Sequence, residues 1–288
     1  MADAHTGPDG IPVLSEDTLS ALERMAVELA RLSAAEIATA LGRTLAVRYK
    51  GADPDEVAPR DPVSEVDHKV EVLVRARLAE RFPEHDIIGE EIDERHGRGH
   101  DIAWVIDPID GTANFVNGFP LFAASIGVLH RGQPVVGAVW CSTSHALRAG
   151  IYHGRPGGAL RFEDEPLEIR RNLAVRRHLA GEPEATADAG LPWDVRKTGS
   201  AAIECAFVAA GFLRVARFER PNVWDVGGGI ALVRAAGGEA RTRGARGWEP
   251  LERFGTGPEG ETQDLQTWRQ PVIIGDPDAV ERLCQAHP

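Results

Sequence analysis

The chain has 288 residues, 44 of them acidic and 32 basic, for a net charge of −12 and a pI near 5.3. That acidity removes the electrostatic drive behind most nucleic-acid and anionic-membrane binding, so neither partner is expected. Apolar residues at 43% and charged residues at 26% exclude disordered, collagen-like and coiled-coil classes, and the length suits one large α/β domain or two packed halves.

The start, rich in Gly, Pro and Asp, predicts a mobile tail over residues 1–14. No basic-then-apolar leader is present there, and no apolar run reaches the roughly 18–20 residues of a spanning helix, so a soluble, cytoplasmic protein is expected. Ser15 is placed to cap a helix or helix pair over 18–41, where Leu19, Leu22, Met25, Ala26, Leu29, Leu32 and Ile37 recur at helical spacing. The proline-rich, acidic stretch 51–62 predicts an exposed loop. Ser64 then caps a second helix carrying Val66, Val70, Leu73, Val74 and Leu78, which Pro83 ends.

Strands are expected at 86–89 and 103–106, the latter an apolar run suited to burial on both faces. Residues 121–129 and 135–140 read as a hairpin joined through 130–134, with further strand at 149–152 and 158–162. The segment 172–195 carries few large apolar groups and reads as loop. Helices at 201–210 and 226–236, a strand at 272–274 and a closing helix at 278–286 complete an α/β chain, divided into an N-terminal half 15–165 and a C-terminal half 166–288. The three cysteines, Cys141, Cys205 and Cys284, are widely spaced and read as reduced, mostly buried thiols.

The stretch Trp104–Thr112 (WVIDPIDGT) sets Asp107 and Asp110 three residues apart at the end of a buried strand. Pro108 pushes Asp107 toward extended geometry and Gly111 permits a tight turn, so both carboxylates can converge with the Ile109 carbonyl between them. Such oxygens suit a hard cation like Mg²⁺, which completes its shell with water and a substrate phosphate. The backbone N–H groups of Gly111 and Thr112 are placed to receive that phosphate.

Three further acidic stretches carry little alone: Asp61-Pro-Val-Ser-Glu-Val-Asp67, Gly89-Glu90-Glu91, and Trp224-Asp225 before the glycines 227–229. Each reads singly as a capped or solvated end. Histidines 68, 85, 96, 100, 130, 145 and 153 share no metal spacing, and Ser200 lacks the GxSxG elbow of a serine hydrolase. The glycines 227–229 form no dinucleotide motif and read as sites of close packing.

Taken together and in this order, the four motifs resemble the inositol monophosphatase family, with Thr198-Gly-Ser-Ala-Ala similar to its second substrate loop. The resemblance implies a layered α/β/α/β/α sandwich of the inositol monophosphatase and fructose-1,6-bisphosphatase type. It further implies a Mg²⁺-dependent, Li⁺-sensitive phosphomonoesterase, in many members a homodimer. By motif position, Glu90, Asp107, the Ile109 carbonyl, Asp110 and Asp225 would ligate two or three Mg²⁺ ions. Asp67 and Thr112 would orient and deprotonate a water, with Glu90 also counted among the catalytic acids. Gly111 and Thr112 would hold the phosphate, and Ala113, Gly199, Ser200, Ala201 and Glu219, beside Asp225, would meet the substrate alcohol.

The family pattern is departed from in three places. Lys50, either the family's lysine displaced by an insertion or a plain surface lysine, is followed by a long connection; Asn222 stands where a histidine is common in inositol-cleaving members; and 172–195 is short. The expected substrate is a small polyol or cyclitol phosphomonoester, myo-inositol 1-phosphate first. Histidinol phosphate, fructose 1,6-bisphosphate, other sugar or cyclitol phosphates and adenosine 3′,5′-bisphosphate are alternatives, as is a regulatory binding role on the same fold.

Overall fold

The computed structural model describes residues 14–43, 45, 47–49, 62–94, 99–169, 172, 174–183, 191–257 and 262–288. The expected tail up to residue 13, Lys50, and the loop 51–61 with Asp61 lie outside these residues.

Helix α1 (Glu16–Ala40) is one uninterrupted helix whose first turn is capped by the Ser15 hydroxyl, which accepts the Thr18 N–H at 3.2 Å. Strands β1 (Val47–Tyr49) and β2 (Pro62–Ser64) pair antiparallel and lead into α2 (Glu65–Arg81). Ser64 and Asp67 close a capping box at the start of α2. The first sheet is built from β3 (Asp86–Gly89), β4 (Ile102–Asp110), β5 (Ala123–His130), β6 (Gln133–Cys141), β7 (Gly150–Gly154), β8 (Arg161–Phe162) and β9 (Glu165–Pro166), in that spatial order. A short helix, α3 (Thr112–Val116), follows β4. The β5–β6 connection is tighter than the expected 130–134: His130 pairs with Gln133, and Arg131 and Gly132 make the turn with φ of 50° and 82°.

The second half contributes β10 (His178–Gly181), β11 (Trp193–Arg196), α4 (Ala201–Ala209), β12 (Val215–Phe218), α5 (Val223–Ala235), β13 (Glu239–Gly244), β14 (Gly247–Pro250), β15 (Val272–Gly275) and α6 (Pro277–Ala286). Its six strands are ordered β11-β10-β12-β15-β13-β14. This corrects the reading of 172–195 as loop, which holds β10 and most of β11, and adds β12, β13 and β14. All five are four to six residues long. In β12 Arg217 interrupts the apolar run, and in β13 the inward side is Ala240, Thr242 and Gly244, too small and polar to mark a strand.

Five layers result. Helices α1 and α2 cover the outer face of the first sheet, α4 and α5 fill the space between the sheets, and α6 covers the far face of the second. The first sheet draws only on residues 86–166 and the second on 178–275, yet one apolar cluster joins them, with Val105 and Leu129 from one sheet and Ile230 and Ile274 from the other side. The glycines of α5 make its close docking possible. A Cβ on Gly228 would stand 2.9 Å from the Ile126 carbonyl oxygen, and one on Gly229 2.2 Å from Cys205 Cβ. The cysteines are all free and buried, and among the described residues no helix is long and apolar enough to cross a membrane.

Candidate active site

Residues three apart in a regular strand face opposite ways. The β4–β5 ladder, however, pairs Asp107 with Ser125 and Asp110 with Ala123, so three steps on β4 match two on β5. The extra residue is a bulge containing Pro108, which has no N–H to give the ladder. It turns both carboxylates toward one centre. In the parallel β3–β4 pair Gly89 lies opposite Ile106, which carries Glu90 out of β3 beside Asp107, and the two carboxyl groups share a hydrogen bond. Asp225 arrives from the third position of α5, where its Oδ2 accepts the Asn222 N–H at 2.7 Å.

Three of these acids, Asp107, Asp110 and Asp225, are held above the ordinary carboxylate range. Asp107 is held well above the usual carboxylate range, first by burial and then by the charges of Glu90, Asp110 and Asp225. Burial and Asp110 push Asp225 up to about 8. Asp110 rises to about 6 by burial, with the Ser200 hydroxyl and the Ala202 N–H pulling the other way. Those two groups donate to Asp110 Oδ2 at 2.6 and 2.5 Å, so Asp110 is seated on the N-terminus of α4 and ties the two halves together.

Asp67 is fully buried at the start of α2. Its Oδ2 accepts the Ser64 N–H and hydroxyl at 3.0 and 2.5 Å, which leaves Oδ1 facing the Thr112 hydroxyl at 3.0 Å. Thr112 Oγ1 also lies 2.8 Å from the Ile109 carbonyl oxygen. Burial lifts Asp67 to about 6. Gly111 links these groups in the left-handed region at φ 85°; a Cβ there would stand 3.1 Å from both the Leu121 oxygen and Ser200 Cβ.

Residues 18–269 match the model of the inositol monophosphatase family. The chain belongs to that family. It is 30% identical to a fructose-1,6-bisphosphatase/inositol-1-monophosphatase of Aquifex aeolicus over 66% of this chain and 76% of that one. To the Nus factor SuhB of Escherichia coli it is 32% identical, over 68% and 79% respectively. The solved inositol monophosphatase of an Anabaena (Nostoc) species shares its fold, with a TM-score of 0.68 at 23% identity, covering 94% of this chain and 96% of that one. As a member of this family the chain is a phosphomonoester hydrolase.

In this family member the acids expected at the centre therefore lie within electrostatic reach of one another, while the residues expected to meet the alcohol are placed unevenly. Ala113 and Gly199 are exposed and Ala201 is half-buried. Ser200 is buried, its hydroxyl engaged by Asp110 and by the Ile203 N–H. Glu219 is exposed and ion-paired with Arg217. Asn222, in place of the histidine, turns its amide onto Asp225 at 3.1 Å.

Two positioning residues escaped the sequence reading. Glu71 is fully buried on α2 and accepts the Glu91 and Ile92 N–H groups at 2.7 and 3.2 Å, shaping the turn that presents Glu90. A Cβ on Gly89 would stand 2.1 Å from Glu71 Oε1, so the turn and the acid fit only as a pair. The available signal was an acid adjoining the apolar stripe of Val66, Val70, Val74 and Leu78. Asn114 donates from Nδ2 to the Leu121 and Thr198 carbonyls at 2.6 and 2.8 Å, clamping α3 to the loop before α4. Nothing local marks it.

Proposed function

We propose that the chain is a Mg²⁺-dependent phosphatase acting on a small polyol or cyclitol phosphomonoester, with myo-inositol 1-phosphate as the first substrate to test. The observation that carries this reading is the buried Asp107 Oδ1, which has no hydrogen-bond partner among the described residues and faces a centre shared with Glu90, Asp110 and Asp225. Anionic oxygens so placed are costly without a cation and suited to a hard divalent one. Mg²⁺ takes one or two carboxylates directly and fills its shell from water and phosphate.

Glu90, Asp107, the Ile109 carbonyl, Asp110 and Asp225 would hold the ions. Bound there, they would supply charge neutralisation and a water of lowered pKa. The chain's own residues do the rest. Asp67 Oδ1, with Oδ2 fixed by Ser64, accepts the Thr112 proton, so Thr112 Oγ1 can turn a lone pair toward the attacking water and orient it. The first N–H groups of α3, free of intrahelical partners, face the phosphate from Gly111 and Thr112. A cytoplasmic homodimer sensitive to Li⁺ belongs to the same reading and rests on the family.

The test is phosphate release from myo-inositol 1-phosphate and histidinol phosphate with Mg²⁺, with EDTA, and with added Li⁺. Mg²⁺-dependent, Li⁺-sensitive release from the inositol ester is expected. Release that EDTA leaves intact would overturn the metal-dependent reading, and faster release from histidinol phosphate would move the substrate.

A further inference from the structure

The ladders of the first sheet set one row of side chains across four strands. Asp107 on β4 opposes Ser125 on β5, Ser125 opposes Val139 on β6, and Val139 opposes Tyr152 on β7. Opposed residues share a face of the sheet, with Cβ atoms about 4.5–5.5 Å apart. Val139 and Tyr152 belong to the apolar cluster that also holds the core of α5, so Asp107 and Ser125 face that helix too. The packing of α5 gives the same direction, since a Cβ on Gly228 would stand 3.1 Å from Ser125 Oγ. Asp225 lies three residues before Gly228, on the same side of α5. Ser125 thus sits between the strand that bears Asp107 and the helix that bears Asp225.

Two polar atoms of this buried row are left over. Ser125 is fully buried, and its Oγ, like Asp107 Oδ1, has no hydrogen-bond partner among the described residues. Each atom alone is costly to bury. Of the residues placed beside the Ser125 side chain by the ladders and by α5, Asp107, Val139 and Gly228, only Asp107 carries a side-chain acceptor. The Gly228 backbone lies inside α5, where its polar groups serve the helix. A serine hydroxyl turns about one bond among three staggered positions. An ionised carboxylate only accepts, and one that spends a lone pair on a cation keeps others open to a donor.

We propose that Ser125 is the positioning donor for Asp107: with the ion bound, its hydroxyl donates to the Asp107 carboxylate and fixes it as a ligand, whereas in the metal-free chain the same hydroxyl stabilises nothing. This rests on the Mg²⁺ reading of the site and deepens it, by naming a residue that orients a ligand while touching neither ion nor ester.

Mg²⁺ binding followed without substrate tests this. Calorimetric titration with Mg²⁺ alone, and melting temperature against Mg²⁺ concentration, are expected to show Ser125→Ala binding about tenfold more weakly than wild type, the low end for loss of an outer-shell partner. In EDTA its melting temperature should equal or exceed that of wild type, because the substitution removes a buried hydroxyl that pairs with nothing. A serine that only packs gives the reverse pattern, and either a lower melting temperature in EDTA or an unchanged Mg²⁺ affinity overturns the proposal. Ser125→Cys keeps the bulk and donates only weakly, so it should share the loss of affinity. Recovery of wild-type affinity in that variant would make packing the cause and also overturn the role. At saturating Mg²⁺ the kcat and KM of Ser125→Ala should return to within about threefold of wild type, since no contact to the ester is lost.

The same titrations separate this proposal from the reading beneath it. A wild-type chain with no response to Mg²⁺ in either measurement overturns the metal reading and the role of Ser125 together. A wild type that binds Mg²⁺ no more tightly than Ser125→Ala overturns the role of Ser125 and leaves the metal reading standing.

Discussion

Glu90, Asp107 and Asp110 stand on or directly after adjacent strands whose ladders fix them, whereas the side proposed to meet the substrate alcohol is built from loops, around 198–200, 219–222 and 264–270. Each loop is held by side chains from elsewhere in the fold. Asn114 and Glu204 grip Thr198, Arg217 pairs with Glu219, and Arg269 rests on Trp224. Backbone ladders leave little room for adjustment, while a loop moves when one clamp changes. Under the proposed function, the reaction type resides in the sheet and the choice of ester in the loops.

The sharpest attack on that division is Asp110→Asn. Turnover should fall about a thousandfold or more, the scale of losing a charge-stabilising group in a phosphoryl-transfer centre. The melting temperature in EDTA should not drop, because an amide oxygen still accepts from Ser200 and Ala202 and burying it is less costly than burying a carboxylate. A parallel collapse of fold and activity would show Asp110 to be structural alone. Glu71→Gln probes the sheet side one step further out. It should weaken the apparent Mg²⁺ affinity about 10- to 100-fold, read from the Mg²⁺ dependence of the rate, as expected for a residue that orients a ligand.

On the loop side, Asn114→Ala should raise KM several-fold and leave kcat within about threefold, since it frees the 198–200 loop without touching the acids. An equal loss in kcat would erase the proposed division. The smallest effect is on stability. Asp67 and Asp110 are raised to about 6 and Asp225 to about 8, above their ordinary value. The folded protein therefore holds protons that the unfolded chain releases, and stability is lost as pH rises through these values. In EDTA the melting temperature should decline by a few degrees between pH 5 and 8.5, and Mg²⁺ should raise it more at pH 8 than at pH 5.5. A flat profile would mean the acids do not share one buried centre.

The acids were legible because each lies in a short run where proline, glycine and carboxylate act on neighbours: Asp107-Pro-Ile-Asp110-Gly and the Ser64–Asp67 cap need only local chemistry. The convergence of Asp107 and Asp110 was legible from Pro108 and Gly111, while the arrival of Asp225 on a helix from the other half had no local signal and came only through the family resemblance. The long helices and the β5–β6 hairpin showed their periodicity, while β10 to β14 are too short, and in β13 too polar inside, to do so. Glu71 and Asn114 act on backbone 20 and 84 residues away, a relationship that composition and spacing do not encode.

The glycines at the α5 contact have a mechanical consequence. A Cβ on Gly137 would lie 2.1 Å from the Gly228 carbonyl oxygen, and one on Gly127 2.6 Å from the Gly228 nitrogen. At this point helix and sheet meet main chain to main chain, with no side chain as a spacer. Asp225 is three residues upstream, so its offset from the strand bearing Asp107 is gauged by covalent backbone dimensions rather than by rotamers. A change of side-chain volume elsewhere in the core can be taken up by neighbouring rotamers, whereas this separation has no such slack.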